Sequence, residues 1–277
     1  MRYEIRALSF AEILDTAFRL VRNHGKLLIG LPALVHVPVV VLQRWLLAPG
    51  QAAGTAPVRT TLAGVSMLVL ILVVFPFIFM SLTWAIGRVY TGEQPTFGDT
   101  LREARRHLVP VIGTSLLYVL FVLGMAALVG LAMLVAVFLV PNQWVLAAGL
   151  IGVVGFVALC WLFLAYLLVW PVMMLEKIFG MRALARSREL MQGRKWRAVG
   201  LTFVAGLIVA VLGGVLQLAL SFIPLVGTLA EGLAQAVGIA YQTTVTTLLY
   251  FDARSRAEAF DVEHLANQVR GQLAGAG

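Results

Sequence analysis

The sequence predicts an all-α, polytopic integral membrane protein with six membrane-spanning helices in a single domain over residues 1–277. The chain is 61% hydrophobic and only 12% charged, which is more apolar than a soluble domain can be without aggregating. Its apolar runs approach the roughly 20 residues that cross about 30 Å of hydrocarbon, and they lack the alternation that barrel strands need. The predicted spans cover approximately residues 27–47, 62–86, 109–140, 144–175, 198–223 and 229–249.

The third and fourth spans are longer than the hydrocarbon layer requires. Each would measure about 48 Å as one helix at 1.5 Å per residue. Only the four residues from Pro141 to Trp144 separate them. We therefore expect these two helices to form a tilted or protruding hairpin.

The basic residues are distributed very unequally between the two sides of the predicted membrane. Of the 21 Lys and Arg residues, all except Arg44 and Arg59 lie in the N-terminal segment, the second and fourth connections and the C-terminal tail. Cytoplasmic loops carry the excess of Lys and Arg. The sequence thus predicts cytoplasmic termini in a bacterial inner membrane, and it attributes the net charge of +8 to topology and anionic head groups rather than to nucleic acid.

Short amphipathic segments precede the odd-numbered spans on the cytoplasmic side. Ser9 and Glu12 match a capping box, and Gly25 is placed to end the first helix. Thr96 and Asp99 are placed to begin the second helix in the same way. The apolar faces are predicted to contain Phe10, Ile13, Leu14, Ala17, Phe18 and Val21 in the first segment, Leu101, Ala104 and Leu108 in the second, and Leu184, Ala185 and Met191 in the third.

The three amphipathic segments suggest an internal repeat. Leu14, Leu20, Gly30 and Leu31 match Leu184, Leu190, Gly200 and Leu201 at one constant offset, and Gly113 fits as the counterpart in the second unit. We interpret the chain as three copies of an interfacial helix followed by a helical hairpin, over residues 8–87, 96–175 and 180–250, with a cytoplasmic amphipathic tail at 251–277.

Four tracts of the chain resemble a known family of membrane domains. They are Leu8–Phe18, Tyr90–Gly92 with Thr96 and Phe97, Glu176 with Ala183–Ser187, and Leu249–Asp261. Together they resemble the membrane domain associated with glycerophosphoryl diester phosphodiesterases and the related YciC-like inner-membrane proteins of bacteria. The resemblance implies a six-helix bacterial membrane module without the catalytic barrel, so it provides no catalytic residue.

The side chains needed for catalysis do not converge in the sequence. The four histidines, His24, His36, His107 and His264, have no spacing that puts two on one helical face, and the single cysteine, Cys160, lies in an apolar run. No nucleophile elbow, phosphate loop or paired carboxylates at membrane depth are present. We therefore expect a protein that is not an enzyme and that has no metal site or cofactor.

A few polar residues lie within the predicted spans. His36 is near the middle of the first span between Pro32 and Pro38, and it is either part of a solute pathway or a neutral imidazole bonded to a neighbouring helix. A second group in spans five and six either lines the same pathway or joins helices by hydrogen bonds. Its members are Gln217, Gln235, Gln242, Thr243 and Thr244.

Charged residues at the cytoplasmic span ends suggest two further roles. One set is predicted to form a latch in which acid from one tract pairs with base from the other: Glu176 and Arg186 in the first tract, and Asp252, Arg254, Arg256 and Glu258 in the second. The other set is predicted to contact anionic lipid head groups. It comprises Arg19, Arg22, Arg102, Arg105, Arg106, Arg194, Lys195 and Arg197.

These observations favour a non-catalytic membrane scaffold that engages anionic lipid or a protein partner. The small-residue face from Gly124 to Gly130 indicates a homo-oligomer or contact with another membrane protein. One alternative is a small-solute transporter or channel with a path near His36 and spans five and six. Another, which rests on the resemblance alone, is the membrane subunit of a phosphodiesterase system that acts on lipids.

Overall fold

The described part of the structure, a computed structural model, covers residues 7–46, 56–220 and 222–258, and it contains helices and no strand. The helices are α1 (Phe10–Asn23), α2 (Gly25–Leu28), α3 (Gly30–Leu46), α4 (Ala56–Val69), α5 (Phe75–Tyr90), α6 (Phe97–Arg106), α7 (Leu108–Leu139), α8 (Trp144–Ala165), α9 (Val169–Pro171), α10 (Met181–Leu190), α11 (Lys195–Leu220) and α12 (Pro224–Glu258). Two π-helical segments, Leu70–Val74 and Val172–Glu176, continue α4 and α9. The prediction of an all-α protein is confirmed.

Five helical stretches are long and apolar enough to cross a membrane. They are Gly25–Trp45, Thr60–Tyr90, Leu108–Leu139, Trp144–Glu176 and Lys195–Leu220. They coincide with the first five predicted spans to within a few residues. The sixth predicted span lies within α12, which is long enough but carries Gln235, Gln242 and four threonines in its central part.

Helix α12 tolerates these polar residues because other helices surround much of it. It packs against α1, α3, α5 and α11, and its side chains at Val245, Leu248 and Leu249 are fully buried. The Thr244 hydroxyl donates to the Ala240 carbonyl at 2.7 Å, and the Thr247 hydroxyl donates to the Thr243 carbonyl at 2.8 Å. A helix in which most hydroxyls are satisfied internally and whose surface meets protein needs less apolar sequence than one that faces lipid.

Short helices, α1, α6 and α10, occupy all three segments for which interfacial helices were predicted. The capping boxes form as expected: Ser9 Oγ accepts from Glu12 N at 3.3 Å, and Thr96 Oγ1 accepts from Asp99 N at 3.2 Å. Helix α1 ends at Asn23 rather than at Gly25, which instead begins α2. His24 is the C-cap of α1, and its amide donates the last hydrogen bond of the helix, to the Leu20 carbonyl.

The buried faces differ in detail from the predicted ones. In α1 the buried residues are Ile13, Ala17, Leu20 and Val21, whereas Phe10 and Phe18 are exposed. In α10 they are Ala183, Leu184, Ser187 and Leu190, whereas Ala185 is exposed. Ser187 is buried because its hydroxyl donates to the Ala165 carbonyl at 3.1 Å, where α8 ends. A polar residue therefore replaces an apolar one on the packed face of α10.

The fourth span is not one continuous α-helix, contrary to the length estimated from its sequence. Helix α8 ends at Ala165, a short turn follows, and α9 leads through Pro171 into the π-helical segment Val172–Glu176. Proline lacks the amide hydrogen that would extend the α-helical ladder. In the second span, the other π-helical segment, Leu70–Val74, directly precedes Phe75 and Pro76. Both departures from α-helical geometry thus lie next to a proline.

Each of these three short helices, or the residue before it, contacts the first part of a long helix from a different predicted repeat unit. Phe97, the first residue of α6, packs so closely on α3 that a methyl group at Gly30 would lie 3.2 Å from its ring. Phe10, the first residue of α1, packs on α11 so closely that a methyl group at Gly200 would lie 3.0 Å from its ring. The Gly180 amide, which precedes α10, donates to Thr114 Oγ1 of α7 at 2.8 Å.

Candidate functional site

A charged cluster joins the C-terminal end of the fourth long apolar stretch, Trp144–Glu176, to α10 and α12. Glu176 accepts two hydrogen bonds, from Arg186 Nε at 2.9 Å and from the Tyr250 hydroxyl at 2.9 Å. The Tyr250 hydroxyl also accepts from Arg254 Nη1 at 3.2 Å. One carboxylate therefore connects three separate elements through side chains that are largely buried.

Arg186 extends this cluster to the end of α12. Its guanidinium contacts the Glu258 carboxylate and lies 3.1 Å from Glu189 Oε2. Glu258 also accepts from Arg254 Nε at 2.9 Å. The contact between Arg186 and Glu258 pairs base from the first predicted tract with acid from the second. Tyr250, which the sequence reasoning missed, links Glu176 to Arg254.

The ionisation of these groups follows from their contacts. Burial disfavours the charged form of Arg186, but hydrogen bonds to Glu258 and Glu176 outweigh it and raise the pKa of Arg186. Burial likewise opposes the charged form of Glu258, yet the hydrogen bonds from Arg186 and Arg254 hold its pKa below the ordinary value of 4.5. Burial and the Glu176 carboxylate raise the pKa of Tyr250. At neutral pH, Tyr250 therefore remains a donor between charged partners.

A second cluster forms around Asp252, whose side chain is 0% exposed. Its Oδ1 accepts from the Leu8 amide at 2.9 Å and from Arg256 Nε at 2.9 Å. Arg197 Nη2 lies 3.3 Å from Oδ2. The guanidiniums of Arg197 and Arg256 also both donate to the Leu8 carbonyl, and the bond from Arg256 Nη2 measures 3.0 Å. Asp252 thus ties the end of α12 to the segment before α1 and to the start of α11.

The predicted lipid contacts divide into exposed and engaged residues. Arg19, Arg22, Arg102, Arg105 and Arg106 are exposed on α1 and α6, and three of them also pair within their own helix: Arg19 with Asp15, Arg102 with Asp99 and Arg106 with Glu103. The other three are held by the protein. They are Arg194, which donates to the Leu190 carbonyl, Lys195, whose Nζ lies 3.7 Å from the centre of the Trp161 ring, and Arg197 in the Asp252 cluster.

His36 borders a cavity of about 590 Å³ between α3, α4 and α12. Its side chain is 4% exposed, it meets the Phe75 ring edge-on at 5.3 Å, and its Nδ1 has no hydrogen-bond partner among the residues that the structure describes. Arg44 and Glu231, which also line the cavity, form an ion pair at 3.2 Å. Gln235 donates to Glu231 at 3.4 Å. The sequence reasoning did not connect Arg44 and Glu231, because they are 187 positions apart.

The polar residues predicted for spans five and six do not lie along one path. Gln217 is exposed on α11, and Gln235 lines the His36 cavity. Gln242 and Thr243 line a different cavity of about 290 Å³, which is also lined by Phe79 of α5. Thr244 is buried and bonded within α12.

A row of aromatic rings runs from the lining of one cavity to the lining of the other. The ring centres of Phe75 and Phe79 are 6.2 Å apart, and those of Phe79 and Trp170 are 5.6 Å apart. Phe75 lines the His36 cavity, whereas Phe79 and Trp170 line the second cavity. The π-helical segments directly precede Phe75 and closely follow Trp170.

Within residues 7–46, 56–220 and 222–258, no three His, Cys, Asp or Glu side chains are grouped so that they could hold a metal ion. His264 lies outside the described residues, as does the predicted tail beyond Glu258. Tail residues Asp252, Arg254, Arg256 and Glu258 continue α12 without a break.

Comparison with known proteins identifies one family. No curated protein and no solved structure matches the chain. A family model described as a domain of unknown function matches residues 58–274, which is most of the chain. That match carries no link to phosphodiesterase membrane domains, so the resemblance remains an interpretation of the sequence. The chain belongs to the DUF8558 family.

Proposed function

We propose that the chain is a non-catalytic scaffold of the bacterial inner membrane that gathers anionic lipid at its cytoplasmic face. The observation that carries this proposal is the pairing of exposed arginines with exposed aromatic rings on the interfacial helices. Arg19 and Arg22 accompany Phe18 on α1, and Arg102 accompanies Phe97 on α6. Basic amphipathic helices of this kind bury apolar side chains at the head-group boundary while their cations meet lipid phosphates.

The proposal includes six spans, with α12 as the sixth, and both termini on the cytoplasmic side. The burial of α12 by neighbouring helices supports a span that is less apolar than the other five. The basic connections support the orientation. The charged clusters around Glu176 and Asp252 would then lie together at the cytoplasmic face, where they hold the interfacial helices against the spans.

The contacts of the interfacial helices support three repeats. Helix α1 rests on the third unit through Gly200, α6 rests on the first unit through Gly30, and α10 rests on the second unit through Thr114. Three copies arranged around a common axis produce this cyclic order, because each copy places its interfacial helix on a neighbour in the same sense.

The lipid proposal can be tested by replacing the exposed arginines. The variant Arg19→Gln, Arg22→Gln, Arg102→Gln, Arg105→Gln, Arg106→Gln should lose most of the phosphatidylglycerol that the purified protein retains from mixed phosphatidylglycerol and phosphatidylcholine vesicles. The control is Arg44→Gln, which removes a basic residue from the opposite face. Size-exclusion chromatography checks that both variants are folded. Equal phosphatidylglycerol retention by the two variants would refute a head-group role for the five arginines.

The scaffold proposal also includes a homo-oligomer. Nothing described lies within 4 Å of the position that a methyl group would take at Gly124 or Gly130, so α7 is open to a second chain at both positions. Gly124→Leu with Gly130→Leu should reduce the oligomer seen by chemical cross-linking in vesicles. An unchanged cross-linking pattern would exclude this face as the interface.

A second candidate function is passage of a small polar solute. The His36 cavity favours it, because a buried imidazole, an amide and an ion pair line one space within the bundle. Passage would require the Phe75, Phe79 and Trp170 rings to separate, and the adjoining π-helical segments are places where helices commonly hinge.

Cysteine labelling distinguishes passage from a closed cavity. The Cys160→Ser variant has no other cysteine and serves as the background. Gln235→Cys and Thr243→Cys are introduced into it one at a time, and vesicles that contain each variant are treated from outside with an impermeant maleimide. A pathway predicts that both positions react from the same side. Reaction of Gln235→Cys alone would leave the aromatic rings as a permanent barrier and remove the transport candidate.

A further inference from the structure

A third cavity is an apolar groove between α1, α11 and α12. Its volume is about 360 Å³, which is within the range for small-molecule sites. Phe18, Val21 and Arg22 line it from α1, and the remaining lining residues are almost all apolar. Arg22 is the one charged side chain among the described residues of the lining.

Two glycines allow α11 and α12 to approach each other along the groove. A methyl group at Gly238 would lie 2.6 Å from Val209 Cγ1, and a methyl group at Gly213 would lie 3.9 Å from the Ala234 Cβ. The contacts move forward along α11 as they move back along α12, so the two helices are antiparallel neighbours. All four residues line the groove, and they form its floor.

The groove runs from α1 toward the connection between α11 and α12. Its Tyr241 end lies against α1, because the Tyr241 hydroxyl donates to the Leu14 carbonyl at 3.3 Å. The lining then extends over eight residues of each helix, from Tyr241 to Leu233 on α12 and from Ile208 to Leu216 on α11. Eight residues correspond to about 12 Å. The groove is therefore elongated and carries its single cation at the α1 end.

The sides of the groove are open to the surroundings of the bundle. Leu212 and Leu216 on α11 and Leu233 and Val237 on α12 are all exposed. Helix α11 is one of the five helical stretches that are long and apolar enough to cross a membrane. In a bilayer, an open apolar groove on such a helix is reached directly by lipid chains.

Arg22 has no acidic partner that would neutralise it. Within the described ranges it forms no ion pair, whereas Arg19, on the same helix, is paired with Asp15. The Arg22 side chain is exposed, and its guanidinium carbon lies 6.0 Å from the centre of the Phe18 ring. Arg22 precedes the first long apolar stretch, Gly25–Trp45, by three residues. A free cation thus lies at the end of an apolar groove, near the start of a candidate span.

This combination fits an amphiphile with an anionic head and a flexible tail. Guanidinium groups bind phosphate through charge-assisted hydrogen bonds. The groove has about 360 Å³, whereas 12 Å of a helix with its side chains occupies roughly 1,000 Å³. A single acyl chain therefore fits the groove better than a helix of a partner protein.

We propose that this groove holds one acyl chain of an anionic phospholipid of the phosphatidylglycerol type, whose phosphate pairs with the Arg22 guanidinium. The chain lies along α11 and α12 from Tyr241 toward Leu216 and Leu233. The inference rests on the lipid-gathering function proposed above and deepens it, because it assigns one lipid molecule to a defined site.

The test locates the chain by photo-cross-linking. The purified full chain is placed in dioleoylphosphatidylcholine nanodiscs with a small fraction of phosphatidylglycerol that carries a diazirine midway along one acyl chain. Irradiation, digestion and mass spectrometry then map the labelled residues. We expect labelling of Leu212 and Leu216 to exceed that of Val211 and Val215 several-fold. The two valines are the matched control, because they are 55% and 63% exposed on the same helix but do not line the groove.

Filling the groove tests whether the chain occupies it. Gly213→Leu places a side chain in the groove without a clash, since the nearest atom to the new Cβ would be 3.9 Å away. Leucine also favours a helix more than glycine does, so Tm should not fall. Groove labelling should decrease several-fold. The matched control is Gly214→Leu, at a position that has nothing described within 4 Å and does not line the groove; its labelling should match the wild type.

Removing the cation tests the head-group contact. A phosphatidylcholine probe with the same diazirine chain serves as the reference, and the wild type should label more strongly with the phosphatidylglycerol probe. Arg22→Gln should reduce this preference about fivefold, which is the contribution of one basic residue near a membrane surface. Arg19→Gln should leave the preference at the groove unchanged, because Arg19 does not line it.

The outcomes separate this inference from the scaffold proposal. Equal labelling of Leu212 and Val211 would overturn the groove site, and so would wild-type labelling of Gly213→Leu. An unlabelled groove would mean that protein covers it and would also overturn the site. If any of these results accompanied loss of phosphatidylglycerol from the variant with five arginines replaced, the scaffold proposal would stand and only the groove site would fail. Full retention by that variant would instead refute the lipid-gathering function.

Discussion

Replacing Asp252 by Asn tests whether the contacts among the end of α12, the start of α11 and the segment before α1 depend on one buried carboxylate. Asp252 is 0% exposed and receives the Leu8 amide and the guanidiniums of Arg256 and Arg197 at 2.9, 2.9 and 3.3 Å. An Asn side chain keeps the shape and one acceptor oxygen but removes the negative charge. Two guanidiniums then face each other across an uncharged group.

The magnitude follows from the burial of the three partners. Breaking a fully buried ion pair by removing one charge costs about 3–5 kcal/mol. The side chains of Arg197 and Arg256 are 27% and 39% exposed, so water compensates part of that loss. We expect a destabilisation of about 2–4 kcal/mol, which corresponds to a fall in Tm on the order of 5–10 °C.

The assay is thermal unfolding of the purified protein in detergent micelles, followed by tryptophan fluorescence. Asp15→Asn is the matched control, because its ion pair with Arg19 is about half exposed on both sides and should be worth about 0–1 kcal/mol. The double variant Asp252→Asn, Arg197→Gln should lose less than the sum of the single changes. Equal Tm values for Asp252→Asn and Asp15→Asn would refute the reasoning.

The cluster around Glu176 makes further predictions. Hydrogen bonds from Arg186 and Arg254 lower the folded-state pKa of Glu258. Its contribution to stability is therefore present above the ordinary pKa of 4.5 and is lost as the pH falls through the lowered pKa. Glu258→Gln should flatten the decline in Tm below about pH 5. Tyr250→Phe removes the hydroxyl between Glu176 and Arg254 and should cost about 1–2 kcal/mol in chemical unfolding, and a change within error would show that the hydroxyl is dispensable. Arg186→Gln should lower Tm more than Arg254→Gln, since Arg186 contacts both the Glu176 and the Glu258 carboxylates directly and Arg254 reaches Glu176 through the Tyr250 hydroxyl, and the reverse order would contradict this account.

The local elements were predictable because their signals lie within a few residues of each other. A capping box needs only positions three apart, so Ser9 with Glu12 and Thr96 with Asp99 identified the starts of α1 and α6 from sequence alone. The apolar length of a span is likewise local information. The end of α1 was misplaced because glycine both ends and begins helices, and Gly25 begins one here.

The composition of the candidate sites was harder to predict, because it depends on contacts between distant positions. The sequence suggested that Glu176, Arg186 and Glu258 pair, since acid and base tracts flank two span ends, but it did not indicate Tyr250 as their bridge. It assigned Arg197 to lipid, whereas the fold brings Arg197 to Asp252, which is 55 positions away in the sequence. It assigned Gln235 and Gln242 to one path, whereas they line separate cavities.

By itself the sequence determined the class of this protein: an all-helical membrane protein in which short amphipathic helices precede three of the long apolar ones. Apolar length and helix capping are properties of contiguous residues, so they survive without knowledge of the fold. The tertiary structure decided which polar side chains are satisfied. Thr243 and Thr244 are neighbours in sequence, yet one hydroxyl bonds within α12 and the other lies unpaired at a cavity, because the direction of each side chain relative to surrounding helices exists only after packing.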